Sequence, residues 1–350
     1  QTVRRDVSKS SKHILLSLDV MGGDKAPHMV IEGAALALKE NQNLRFLMYG
    51  DERKILPLMK RHPSLEKAAQ LFHTSEFIKN DEKPSIALRQ GRNSSMRLAI
   101  DAAAKGVAQG VVSAGNTGAY MAMAKIFLKM IDGIDRPAII GSFPTTTKPC
   151  VMLDLGANIV CDENHLTQFA IMGKVYAQEM YGVKNPSIGL LNVGEEEQKG
   201  HDFIQNTAQK LKKARRTVNF YGFVEGNDIM KGTVDVVVTD GFTGNIALKS
   251  IEGVTHFVMT VLKDVFKSSL LAKIGYLLSI YALKKMATKI NPKKYNGAML
   301  IGLKGVAIKS HGGADAIAFA NAIHTAAQLS SHNFDKKIEK NLEQLKKELK

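Results

Sequence analysis

Tryptophan is absent from this 350-residue chain, cysteine occurs twice, proline nine times, and aromatic residues make up only 6%. So few aromatics argue against an all-β module, whose strands usually draw on them. Cys150 and Cys161 form neither a CxxC pair nor a zinc framework, and read as small buried side chains in a reducing compartment. No apolar run reaches the roughly 18 residues needed to span a bilayer, which leaves a soluble or peripheral protein as the expectation. Residues 1–12, QTVRRDVSKSSK, lack the apolar stretch of a signal peptide and read as a disordered leader. Four signatures are missing as well. Without GxxxxGK[ST] there is no Walker-type nucleotide grip, and without GxGxxG after the first strand a dinucleotide reading weakens. Without HExxH or a tight His/Cys cluster no zinc or other metal is expected, and without GxSxG no serine elbow.

What is present is glycine, 29 residues of it, and positive charge. The formal net charge is +15, calling for an anionic partner: nucleic acid, anionic lipid or an acidic protein. The window from Lys263 to Lys294 holds eight lysines against one acid, Asp264, nearly half the excess. No aromatic-interleaved basic stripe accompanies it, so nucleic acid ranks low.

A device recurs along the chain. Apolar runs empty into Gly22-Gly23-Asp24, Ser113 to Gly118, Asp154 to Asn158, Asn192 to Gly200, Asp240 to Asn245, and Lys309 to Ala314, and most are followed by helical periodicity. Strands alternating with helices predict an α/β fold with a parallel sheet. In such sheets ligands bind beyond the carboxyl ends of the strands, where helix N-termini present unpaired N–H groups and glycine admits close approach. Six such loops on one rim would cradle an anion. The candidates to bind it are Gly22, Gly23, Asp24, Arg89, Ser94, Ser95, Asn116, Thr117, Gly118, Asn192, Lys199, Asp240, Thr243, Gly244 and Asn245. Helix capping accounts for the same residue types.

At these residues the chain resembles a family. MGGD, SSM, VSAGNTGA, LDLGAN, LLNVGEEEQKG, VEGNDI, DGFTGNIALKSIEG and IKSHGGADA occur in the order found in PlsX, the phosphate acyltransferases of bacterial phospholipid synthesis, and the resemblance covers roughly residues 14–325. It departs after Asp24, where Lys25-Ala26-Pro27 replace the usual aromatic and glycine. The resemblance implies a Rossmann-like three-layer fold with a parallel or mixed sheet, isocitrate/isopropylmalate dehydrogenase-like, with an inserted helical segment. It further implies transfer of a fatty acyl group from acyl carrier protein to inorganic phosphate, no cofactor, a homodimer, and a product used by a membrane glycerol-phosphate acyltransferase. The location implied is cytoplasmic, peripherally associated with the inner face of the plasma membrane.

Phosphate is itself a competent nucleophile, so catalysis needs positioning and oxyanion stabilisation more than an acylated side chain. The catalytic candidates are Asn158 for the oxyanion, Lys309 beside the phosphate and His311 as proton donor to the leaving thiol. The domain expectation is a leader over 1–12, a catalytic α/β domain over 13–331, an amphipathic basic helical segment over 263–294 against an anionic membrane or a partner subunit, and a charged helix over 332–350. Rival readings remain at this point: an acyl-CoA/phosphate transacylase, a metal-dependent hydroxyacid enzyme on the same fold, or a non-catalytic lipid-binding scaffold.

Overall fold

The computed structural model describes residues 13–290, 296–330 and 334–350. The expected leader over 1–12, the end of the basic segment at 291–294, and residues 331–333 at the expected domain boundary lie outside them. The described strands are β1 (Ile14–Asp19), β2 (Leu44–Gly50), β3 (Ala69–His73), β4 (Gly110–Ser113), β5 (Ala138–Phe143), β6 (Cys150–Leu153), β7 (Ser187–Leu191), β8 (Asn219–Val224), β9 (Val236–Val238), β10 (Ala298–Ile301) and β11 (Val306–Lys309). The helices are α1 (His28–Glu40), α2 (Glu52–Met59), α3 (Pro63–Ala68), α4 (Pro84–Gln90), α5 (Ser95–Ala104), α6 (Thr117–Phe127), α7 (Glu163–Tyr181), α8 (Asp202–Lys213), α9 (Gly226–Lys231), α10 (Gly241–Lys267), α11 (Leu270–Ile290), α12 (Ala316–Ser330) and α13 (Phe334–Leu349).

All eleven strands join one sheet in the order β3-β2-β1-β4-β11-β10-β5-β6-β9-β7-β8. The first five run parallel. β10 is antiparallel to both β11 and β5, and β5 is antiparallel to β6. From β6 onward the strands are parallel again, but in the direction opposite to the first five. The sheet is therefore mixed.

Central strands are buried on both faces and read as unbroken apolar runs, as sheets covered by helices on both sides require. Alternate residues divide between the faces. Leu16, Val112, Val151, Val236 and Ile308 pack with α1, α7, α12 and α13, whereas Val111 and Ala307 meet α5 and α6, and Met152 and Val237 meet α9 and the start of α10. These are the three layers: helix, sheet, helix. Both cysteines are free and buried, and burial pushes each thiol up to about 12.

The charged final helix lies on the body of the protein. Ile338, Leu342 and Leu345 of α13 are buried in the core with α7 and α8 residues, and Lys337 bonds Glu179 at 2.6 Å. Among the described residues no helix is long and apolar enough to cross a membrane. Leu342 is 3% exposed and Leu349 36%. Leu342→Ala is therefore expected to lower unfolding free energy by about 3 kcal/mol, and Leu349→Ala by less than about 0.5 kcal/mol, measured by urea denaturation.

Candidate active site at the strand exits

At one edge of the sheet the exits of β1, β4 and β11, three neighbours, interlock. Gly23 has φ +109°, and a Cβ there would meet Ala114 Cβ at 3.0 Å and the Gly312 carbonyl at 3.3 Å, so only glycine lets these loops touch. The Asp24 N–H donates to the Gly312 carbonyl at 2.9 Å, and Asn80 Nδ2 donates to Asp24 Oδ1 at 2.6 Å. Beneath them Asp19, 1% exposed, accepts from Ser95 Oγ and Ser113 Oγ at 2.6 Å each. Burial raises the Asp19 carboxyl above its usual range, with the two hydroxyls pulling the other way. Lys309 donates Nζ to the Ser310 carbonyl, and burial pushes its ammonium down to about 8 against the attraction of Asp19 and Asp24.

Other polar groups of this edge are largely engaged with one another. Asn116 caps α6 by accepting the Ala119 N–H at 2.9 Å, and its Nδ2 donates to the carbonyls of Asn80 and Glu82, also at 2.9 Å. Ser94 caps α5 by accepting the Arg97 N–H at 3.3 Å. His311 is exposed and accepts the Gly313 N–H at Nδ1, 3.1 Å, which places the proton of the neutral ring on Nε2.

At the opposite edge the exits of β6, β9 and β7 are again sheet neighbours. The buried Asp154 carboxylate gathers the first of these loops, accepting backbone N–H groups from Ile139 at 2.9 Å, Gly156 at 3.2 Å, Ala157 at 3.0 Å and Asn158 at 2.7 Å. Asn158 Nδ2 donates to Asp154 at 2.9 Å and to the Pro137 carbonyl at 2.7 Å. The Asn158 carbonyl in turn accepts the Gly241 N–H at 2.7 Å, seating the start of α10 on this loop. A Cβ at Gly244 would collide with the Asp154 carbonyl, so glycine permits that seating. Asp240 caps α10, accepting from the Thr243 N–H at 2.9 Å and Thr243 Oγ1 at 2.8 Å. Thr243 and Asn245 are exposed on this first turn, with Gly156 beside Asn245.

In the third loop Asn192 Nδ2 donates to the carbonyls of Gly194 at 3.1 Å and Lys199 at 3.0 Å, and its buried Oδ1 has no partner. Exposed Lys199 pairs with Glu196 at 2.8 Å.

One expectation needs correction: the six exits do not share a rim. β10 and β5 reverse the sheet's direction, so Gly22, Gly23, Asp24, Ser94, Ser95, Asn116, Thr117, Gly118, Lys309 and His311 gather at the β1/β4/β11 edge, and Asn158, Asn192, Lys199, Asp240, Thr243, Gly244 and Asn245 at the other. Within one chain Asn116-Thr117 and Thr243-Asn245 are not side by side. The Asn158 amide is held by Asp154 and Pro137, which makes it a brace for the loop and leaves it poorly placed as an oxyanion donor. Arg89, exposed, gives its Nε to Ser85 at 3.3 Å, while Arg97 pairs with Asp101 at 2.8 Å and stacks over Phe127.

A cation that the sequence did not mark stands at the second edge. Arg136, before β5, donates to the Val160 carbonyl at 3.2 Å and acts on Asp162 and Cys161. Nothing local in DGIDRPAII tells that β5 runs against β6, so no signal placed its first residues beside the β6 exit.

From this edge α10 runs on for 27 residues and turns back into α11. The expected amphipathic stretch is helical, and Leu270, Ile274, Leu277, Leu278 and Tyr281 are exposed. Phe266 and Tyr276 meet edge-on at 5.5 Å and join the two helices.

The profile of the family described as "fatty acid synthesis protein" matches residues 14–337. The chain is 52% identical over 336 residues to a phosphate acyltransferase of Paramagnetospirillum magneticum, covering 96% of each, and 54% identical over 335 residues to one of Rhodospirillum centenum, covering 96% of this chain and 94% of the relative. Among solved structures it is similar to the EutD phosphotransacetylase of Staphylococcus aureus, with TM-score 0.60, 16% identity, and 92% and 95% of the two chains covered. A phosphotransacetylase of Streptococcus pyogenes gives TM-score 0.61 at 15% identity, with 91% and 94% covered. At these identities the likeness speaks to fold.

Lys309 is neutral in the folded protein above about pH 8, while the unfolded chain keeps that proton to about pH 10, so the unfolded state binds more protons between the two. Stability is expected to rise across that interval by up to about 3 kcal/mol. Urea unfolding against pH, compared with Lys309→Met, should show that increment missing from the variant.

Proposed function

The chain belongs to the fatty acid synthesis family of phosphate acyltransferases, the PlsX family, and from that premise we propose that it takes its acyl group from acyl carrier protein and works at the edge formed by the β6, β9 and β7 exits. It transfers an acyl group to phosphate for phospholipid synthesis. An oxygen of hydrogen phosphate attacks the thioester carbonyl, the tetrahedral oxyanion collapses with loss of the C–S bond, and the departing thiolate takes the proton that the phosphate gives up, leaving the carrier thiol and acyl phosphate.

One observation carries the placement. The first turn of α10 exposes Thr243 and Asn245 at a helix N-terminus, where the peptide dipoles favour an anion, with exposed Lys199 and Arg136 on neighbouring segments of the same edge. The Asn245 amide orients phosphate, Lys199 and Arg136 offset its charge, and Asp154 and Asn158 hold the loop that supports them. On this reading Lys309 and His311 do not touch the reacting atoms within the same chain.

The remaining finer points belong to the same proposal. The +15 charge suits an acidic carrier, whose encounter it would speed. The hairpin of α10 and α11 carries uncovered apolar residues beside lysines, which suits a homodimer contact or an anionic membrane surface, and with it peripheral attachment inside the plasma membrane next to a glycerol-phosphate acyltransferase that consumes the product. The fold likeness to isocitrate and isopropylmalate dehydrogenases is part of this reading too.

Incubation with acyl carrier donor and phosphate, with acyl phosphate trapped by hydroxylamine, tests it. Asn245→Ala is expected to lower kcat about 100-fold with folding intact, and Lys199→Ala to raise KM for phosphate about tenfold. Full activity in both would remove this edge from the chemistry. Raising salt should raise KM for the carrier donor and leave kcat nearly unchanged. An acyl-CoA donor serving as well as the carrier would overturn the donor assignment.

A further inference from the structure

At the end of α8 the chain places five cations, Lys210, Lys212, Lys213, Arg215 and Arg216, within seven residues and with no acid among them. A helix C-terminus favours positive charge, and part of the set is taken up there or in pairs. Arg215 Nε donates to the Lys212 carbonyl at 3.0 Å, Lys212 bonds Glu197, and Lys210 pairs with Glu163 at 3.6 Å. The others open onto a cavity of about 430 Å³ lined by Lys213, Arg215, Arg216, Lys347 and Glu348. Glu348, the one acid of this lining, accepts from the Arg216 N–H at 3.0 Å and Thr217 Oγ1 at 2.6 Å and lies in the field of Lys174. Lys213 and Lys347 have no ion pair among the described residues. Lys174 Nζ donates to the Thr217 carbonyl at 2.6 Å and to Asn341 Oδ1 at 2.8 Å, which locks the turn after α8 to α13 and builds the cleft in advance. No large apolar side chain is exposed between Val193 and Tyr221, or in α13 before Leu349.

We propose that this cleft is where acyl carrier protein docks, through its acidic face. The inference rests on the reading that the carrier is the acyl donor at the β6, β9 and β7 exits. Charge complementarity selects the occupant. Unpaired cations in a firm cleft without apolar anchors recruit an acidic, water-soluble surface, whereas a bilayer or a second copy needs apolar groups of the kind the hairpin carries. Position agrees. α8 begins at Asp202, just after the loop that bears Lys199, and runs for about 18 Å. Asn206, Gln209 and Lys213 are exposed on one face of it. A carrier held at the far end of α8 lays its extended prosthetic arm back along that face, where side-chain amides meet the arm's own amide groups, and brings the thioester to the reacting edge. The hairpin leaves this route clear: Leu211 and Ala214 of the α8 end pack in the layer of α13, while Ala247, Leu248 and Ile251 of α10 pack across the sheet.

The test measures binding of unacylated carrier protein to the full chain by titration calorimetry, and KM for the palmitoyl carrier in the hydroxylamine assay. The variants are Lys213→Glu/Arg216→Glu, Lys347→Glu and, on the hairpin, Lys273→Glu. Carrier affinity is expected to fall about tenfold in the double variant and about threefold in Lys347→Glu, with KM for the carrier donor rising in step and KM for phosphate unchanged. Lys273→Glu should keep the parent values. Unchanged affinity in both cleft variants overturns the dock. An equal loss in Lys273→Glu and Lys347→Glu does so too, because the effect would then belong to net charge alone. Loss of binding to anionic vesicles in the cleft variants with carrier affinity intact would assign the cleft to a membrane and likewise overturn it. A parent protein that binds the carrier at the cleft yet makes no acyl phosphate from it keeps the dock and loses the donor assignment, so the two failures are distinct. The double variant alters the end of α8 and Lys347→Glu alters α13, so misfolding of one leaves the other decisive.

Discussion

The carboxylate of Asp154 collects N–H groups from Ile139, Gly156, Ala157 and Asn158, and the second edge of the sheet is organised around it. A buried carboxylate is costly unless its lone pairs are filled, and here backbone donors from two strands' ends fill them. The Asn158 side chain adds a further bond and ties the cluster to Pro137. The result is a rigid floor on which Gly241 and Gly244 let α10 settle, so the long helix starts with its polar first turn outward. The phosphate site proposed at Asn245 derives from that seating.

The other edge is built on the same scheme with a different outcome. Asp19 is buried under two serine hydroxyls, and Lys309 is buried near it. Donors and acceptors there are mostly matched internally, whereas the second edge sets the Asn245 side chain toward solvent. Both edges use neighbouring strands, glycine-bearing loops and helix starts. What separates them is the exposed Asn245 on the first turn of a long helix, which the first edge does not match with a free amide of its own.

Much of the architecture was legible from the chain. Apolar runs such as HILLSLD and DVVV become strands, and the residues after each become loops entering helices, because burial on both faces imposes continuous hydrophobicity and helix starts demand caps. The three-layer arrangement and the long helices after Asp240 follow from periodicity and resemblance. Strand polarity did not. A strand such as AIIGSF has the same local preferences whichever way it runs, and the reversal at β10 and β5 arises from pairing partners far away in sequence. That one unreadable fact split six similar loops into two sets and brought Arg136 into view. The engagement of Asn116, Asn158 and Asn192 was also invisible, since an amide that braces a loop has the same letter as one that binds a ligand.

The position of β10 and β11 has a consequence for how the molecule is assembled. They are the last strands in the sequence, yet they occupy the middle of the sheet, between β4 and β5. As the polypeptide leaves the ribosome, the strands β1 to β4 and β5 to β9 are all made while the seam between them is open. Two strand borders, on β4 and β5, then stay unpaired until residues 298–309 arrive as a keystone.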